Sequence, residues 1–163
     1  MNKKLGRWAL IDIETSGINP AYDSVIDVGY LLFEERKLIK KFSSLVRFEE
    51  KIPHFIESLT GISSSQLKQA PRWEDVQGEL AELHECNLIA HNASFEVSFL
   101  DETFKKLDIY GERGAFYDSL IFLGLLHPGR ERLSLESFLV DKGLANGEVH
   151  RGYEDSRDLL KVL

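Results

Sequence analysis

Residues 8–17 read Trp-Ala-Leu-Ile-Asp-Ile-Glu-Thr-Ser-Gly, an apolar run closed by two carboxylates. The short run bounded by turn residues predicts a buried strand over 7–13. Asp12 and Glu14 are two apart, so on a strand their side chains share one face. A carboxylate that closes a buried strand is costly unless something offsets it, and a bound cation is a common answer. Taken alone, the pair reads equally well as two solvated carboxylates at a strand end.

Two further segments change that balance. Glu96 sits in His91-Asn92-Ala93-Ser94-Phe95-Glu96, one turn into a predicted helix. A carboxylate there also suits the helix dipole, and Asn92 is a candidate N-cap. His150 and Asp155 lie five apart around the start of the last predicted helix. His150 would stand on a loop, where an imidazole can activate water, although a lone histidine is more often a surface residue. Four carboxylates and one histidine spread along the chain point to a two-metal site for phosphodiester hydrolysis, provided the fold gathers them. Asp118, between a strand and a helix, reads as an N-cap instead.

The rest of the pattern predicts an α/β sandwich with a mixed sheet. Ser24–Phe33 and Leu38–Phe48 form a hairpin around residues 34–37. Pro53–Leu59 is a short helix stopped by Gly61, and a second begins at Ser63. Helices follow at Trp73–His84, Ala93–Leu107, Asp118–Leu126, Leu133–Val140 and from Tyr153. Strands lie at Asn87–Ala90 and Ala115–Tyr117. Phe55, Phe99 and Cys86 are assigned to the interior.

A chain of 163 residues fits one domain, here residues 1–163. Its abrupt end at Lys161-Val162-Leu163 hints at a piece of a longer protein. A net charge of −7 argues against a broad basic face for duplex DNA, but not against a cleft that takes one strand end. A pair of divalent cations would offset more than half of that charge. A single cysteine excludes an internal disulfide and a CxxC zinc site. No apolar run approaches the ~20 residues of a membrane span. Met1-Asn2-Lys3-Lys4 resembles a signal-peptide start only faintly, because Asp12 and Glu14 interrupt the stretch behind it. The expected location is cytoplasmic.

The three segments resemble the three motifs of the DEDDh exonucleases, a family that includes the proofreading epsilon subunit of bacterial DNA polymerase III and domains fused to DinG-type helicases. Asp12-Ile13-Glu14-Thr15-Ser16-Gly17 resembles the first motif and His91 to Leu100 the second. His150 with Asp155 resembles the third, with the spacing of the histidine rather than the tyrosine subclass. Ile52 to Ile62 resembles the stretch before the second motif.

The resemblance implies a ribonuclease H-like α/β fold, a mixed five-stranded sheet flanked by helices. It implies a 3′→5′ exonuclease that releases nucleoside monophosphates with two Mg²⁺ or Mn²⁺ ions. Asp12, Glu14 and Asp155 would ligate the first ion, Asp12 would bridge to the second, and His150 would be the general base. Thr15, Ser16, Gly17 and Ile18 would hold the terminal nucleotide. Leu59, Thr60, Asn92 and Phe95 are further contact candidates. Arg130, Arg132 and Arg151 would meet phosphate or stay solvated. The chain departs from the family at Glu96, where aspartate is usual; a longer carboxylate would serve the second ion with a preference for Mn²⁺.

The expected substrate is a single-stranded DNA 3′ end, with a polymerase or helicase as partner subunit or fused domain. RNA 3′-end trimming and a catalytically impaired binding or scaffold module are the alternatives. Retention of Asp12, Glu14, His150 and Asp155 argues against the impaired module.

Overall fold

The computed structural model describes residues 6–163; Met1 to Leu5, and with them the Met1-Asn2-Lys3-Lys4 start, lie outside the described residues. The strands are β1 (Arg7–Thr15), β2 (Val25–Glu34), β3 (Lys37–Leu45), β4 (Asn87–Ala90) and β5 (Phe116–Asp118). The helices are α1 (His54–Thr60), α2 (Ser64–Gln69), α3 (Trp73–His84), α4 (Ser94–Lys106), α5 (Ser119–Leu126), α6 (Leu135–Asp141) and α7 (Gly152–Val162). Every predicted element is present, with ends shifted by a few residues.

The five-stranded sheet has the order β3-β2-β1-β4-β5. The β1–β2 and β2–β3 pairs are antiparallel, and β1–β4 and β4–β5 are parallel. This is the expected mixed sheet. The hairpin turn is tighter than predicted, with Glu35 and Arg36 at φ 46° and 70° between the paired Glu34 and Lys37. Two positive φ values match a two-residue turn to the twist of its strands. Edge strand β3 carries Lys37, Lys40 and Lys41, charges that discourage further strand addition.

Alternation along β1 sends its side chains into two layers. Ala9, Ile11 and Ile13 enter a core with Tyr30, Leu80, Leu83, Phe99, Leu100 and Phe104, between the sheet and α3 and α4. Leu10 faces the other way, into a core with Leu123, Phe138, Leu139 and Leu159 from α5, α6 and α7. Asp12 and Glu14 share the parity of Leu10. The strand therefore delivers both carboxylates to the α7 side.

Two glycines let α7 sit directly on the sheet. Gly29 of β2 pairs with Asp12, and a Cβ there would lie 1.9 Å from the backbone N of Tyr153. A Cβ on Gly152 would lie 2.6 Å from the Gly29 N and 2.7 Å from the Asp12 O. Ser156 fastens the contact by donating to the Gly29 carbonyl at 3.0 Å. The first turn of α7 is thus pressed against the strand that carries Asp12.

Two local assignments need correction. Asn92 is not the N-cap of α4; it takes a left-handed φ of 67°, and Ala93 stands at the cap. Phe55 is 60% exposed, because α1 turns Ile56 rather than Phe55 toward the core. Phe99 and Cys86 are buried as expected, and Asp118 caps α5 by accepting from the Leu120 N at 2.9 Å.

Candidate active site

Asp12 and Glu14 stand half-buried on β1, beside Asp155 on α7. Burial lifts Asp12 well above the usual carboxylate range, and Glu96, Glu14 and Asp155 add repulsion. Glu14 is pushed up to about 8, first by burial and then by Asp155 and Asp27. Asp155 is 4% exposed and is also raised by burial. Its carboxylate accepts from the Arg151 N at 2.9 Å and the Val149 N at 3.3 Å. These bonds grip the chain on either side of His150, which has a left-handed φ of 56°. One ligand atom each from Glu14, His150 and Asp155 lies within 4.8 Å of the others.

Glu96 approaches from the first turn of α4. It is 4% exposed, its Oε2 has no hydrogen-bond partner among the described residues, and burial pushes it up to about 8. Asp12, Glu14, Glu96, His150 and Asp155 all line one cleft of about 500 Å³. Residues from β1, α4 and the start of α7 thus meet, although 143 positions separate the first from the last.

Of the expected substrate contacts, Asn92 and Phe95 line this cleft. Thr15, Ser16, Gly17, Ile18, Leu59 and Thr60 do not. The Thr15 hydroxyl donates to the Gly17 carbonyl, and Ser16 exchanges bonds with Ser24, so both hydroxyls shape the loop after β1. A Cβ at Gly17 would lie 2.4 Å from the Asp23 carboxylate, a side-chain end that can move aside. Thr60 is buried, donating to the Ile56 O at 2.8 Å and accepting from the Ile62 N at 3.1 Å. Ile18 and Leu59 are 82% and 45% exposed.

The arginines are largely committed elsewhere. Arg151 pairs with buried Asp27 at 2.8 Å, and Arg130 pairs with Asp141 while lying over the Phe138 ring. Asp101 pairs with Arg113 and is turned away from the site.

The RNase_T exonuclease family model matches residues 9–163. The chain belongs to this exonuclease family. It is 28% identical to the 3′-5′ exonuclease DinG of Staphylococcus epidermidis over 98% of its length, and 27% identical to that of Staphylococcus aureus. It spans only 18% of the length of either relative. The nuclease domain of 3′hExo, a DEDDh family member bound to rAMP, shares the fold with a TM-score of 0.75 at 19% identity, over 97% of this chain and 90% of that one. E. coli Exonuclease I in complex with a dT13 oligonucleotide gives a TM-score of 0.82 at 13% identity, over 96% of this chain and 40% of that one. The fold is ribonuclease H-like, as the sequence implied.

For an exonuclease of this fold the cleft fits divalent cations. Crowded carboxylates held above their ordinary range are proton-loaded at neutral pH without a counter-charge, and cations would replace those protons. The unpartnered Oε2 of Glu96 is an acceptor left for such an ion. Oxygen donors with one imidazole suit a hard metal.

Sequence reasoning missed three participants. Glu148 lines the cleft two residues before His150, and burial raises it. His91 lines it too, with Nδ1 3.0 Å from the Ser119 Oγ, and burial lowers its pKa. Asp27 lies beside Glu14 in the β1–β2 register. Its signal was available: it is a lone carboxylate inside the apolar Val25–Phe33 run, and such a residue needs a partner.

Proposed function

We propose that residues 1–163 form one exonuclease domain that removes nucleotides from single-stranded DNA 3′ ends and releases 5′-monophosphates. The convergence of Glu14, His150 and Asp155 within 4.8 Å, beside Asp12 and Glu96 in one cleft, carries this reading. Asp12, Glu14 and Asp155 would hold one divalent cation, and Asp12 with Glu96 a second. Two such ions, Mg²⁺ or Mn²⁺, supply Lewis-acid stabilisation of the attacking and leaving oxygens when bound.

The protein contributes placement and a base. His150 sits within reach of the same cluster and takes the proton from the attacking water. The Asp155 carboxylate keeps His150 in place through its two backbone bonds. Asn92 and Phe95 line the wall where the terminal sugar and base would rest, Phe95 by stacking.

The relatives carry far more chain than this domain. A helicase or polymerase, fused or separate, would deliver the strand, since an acidic surface binds DNA weakly without help. E. coli Exonuclease I, which shares the fold, holds a dT13 oligonucleotide, and this supports DNA as the substrate class, in a cytoplasmic setting. Among the described residues no helix is long and apolar enough to cross a membrane.

The test is 3′→5′ shortening of a 5′-labelled single-stranded DNA oligonucleotide and its RNA counterpart, with release of monophosphates, in Mg²⁺, Mn²⁺ or EDTA. Metal-dependent laddering on DNA that disappears in Asp12→Ala supports the proposal. Equal or faster trimming of RNA moves the substrate class, and no cleavage of either rejects the activity.

A further inference from the structure

We infer that Asp27 and Arg151 are a positioning pair that sets His150 for proton transfer. This role rests on the reading of His150 as the base. Asp27 is fully buried on β2, next to Glu14 across the β1–β2 pair. Its Oδ2 accepts from the Arg151 Nε at 2.8 Å and from the Gly152 N at 3.4 Å. The backbone N of the same Arg151 donates to Asp155, and so does that of Val149. Residues 149, 151 and 152 are therefore tied to two carboxylates, one on the sheet and one on α7. His150 is the residue between the ties, in a left-handed conformation.

Stability gives a poor reason for this pair. Burying the Asp27 carboxylate costs free energy, and Arg151, whose side chain is 33% exposed, offsets that cost only in part. Here the Asp27 Oδ1 also lacks a hydrogen-bond partner among the described residues. A grip on the histidine loop explains why a charge sits inside an otherwise apolar strand. The contact also occupies Arg151, which keeps its guanidinium from acting as a free phosphate ligand.

The experiment compares Arg151→Gln, Arg151→Lys and Asp27→Asn with the unmodified chain by two readouts. One is steady-state kcat and KM on the single-stranded DNA oligonucleotide. The other is the imidazole NMR signals of the metal-free protein. Arg151→Gln is expected to lower kcat by about 10- to 100-fold, since slight misplacement of a reacting group has effects of that size. KM should stay within about twofold, because substrate binding is untouched. The His150 ring signals should shift or broaden while those of His54, His84, His91 and His127 hold. Arg151→Lys should recover part of kcat.

A raised KM at unchanged kcat would make Arg151 a phosphate contact and overturn the inference. So would unchanged kcat with an unmoved His150 signal, or movement of all five histidines together, which marks a merely structural pair. If the unmodified chain cleaves neither DNA nor RNA, the activity is wrong, yet a His150 signal that alone moves still supports the clamp. If Arg151→Gln does not fold, the comparison of Arg151→Lys with Asp27→Asn decides by the same criteria.

Discussion

The two walls of the cleft are built in opposite ways. On the α7 wall, Asp155 accepts two backbone bonds, Asp27 holds Arg151, and two glycines lock the helix to β1 and β2. On the α4 wall, Glu96 is as deeply buried as Asp155 yet has an oxygen with no partner among the described residues. One wall is satisfied by the protein itself. The other is completed only by a cation or by a proton. The α7 wall should therefore keep its backbone geometry when metal is removed, whereas Glu96 on the α4 wall has only a cation or a proton to complete it.

The strongest attack on this contrast is Asp155→Ala against Glu96→Ala. Asp155→Ala removes a proposed cation ligand and also frees the loop that carries His150. Loss of several kcal/mol of transition-state stabilisation predicts a rate drop of at least about a thousandfold. The metal-free protein should also melt earlier, since the Val149 and Arg151 N–H groups lose their acceptor. Glu96→Ala should lower the rate as well. In metal-free protein at pH 8, however, Glu96→Gln should raise stability, by on the order of 2 kcal/mol, because it removes the tendency of a buried carboxyl to ionise. Thermal melts of the two variants in EDTA check the opposition; melting shifts of the same sign would erase the difference between the walls.

Next in size is the pH response. Glu14 and Glu96 are both pushed up to about 8, and Asp12 lies well above its ordinary range. Folded metal-free protein thus binds these protons more tightly than the unfolded chain, and stability falls as pH rises toward about 8. Lowered His84 and His91 act against this below their ordinary value of 6.5, where the unfolded chain binds protons more readily. The clean window is therefore pH 6.5 to 8. The melting temperature in EDTA should drop across it, and saturating Mn²⁺ should abolish the drop. A flat profile in EDTA would show that the carboxylates are already ionised without metal.

A smaller effect separates the ions. Glu96→Asp should raise the ratio of Mg²⁺- to Mn²⁺-supported rate, because Mg²⁺ demands tighter octahedral geometry than the longer side chain provides. The ratio, read on one oligonucleotide, is insensitive to enzyme concentration. An unchanged ratio would mean that the extra methylene has no bearing on metal choice.

The sequence exposed most of the α7 wall's chemistry but little of its construction. Asp12 and Glu14 were legible because a strand repeats every two residues, so one apolar alternation fixes which side chains share a face. His150 and Asp155 were legible by type and spacing. Asp27 with Arg151, and Gly29 with Gly152, were not, since each pair joins residues more than a hundred positions apart and no local period links them. Phe55 failed for a related reason. The seven-residue helix α1 has too few turns to define an apolar face, so hydrophobicity alone misassigned it. Thr60 likewise reads as a polar contact in sequence and as a buried helix-end bond in the fold.

Both walls begin with a residue in left-handed backbone, Asn92 at φ 67° before α4 and His150 at φ 56° before α7. Asparagine and histidine enter that region more readily than most side chains. His150 is held there by the bonds to Asp155 on either side. Asn92 is held through its own N–H, which donates to the Asp118 Oδ1 at 3.0 Å. Asn92→Ala should therefore destabilise by about 1 kcal/mol, whereas Asn92→Gly, which adopts this φ freely, should change stability by only a few tenths. The glycine variant isolates the side chain. If the Asn92 amide meets the terminal nucleotide, Asn92→Gly keeps its melting temperature and raises KM by a few-fold. If KM is also unchanged, asparagine is there for its backbone, and the α4 wall binds substrate through Phe95 instead.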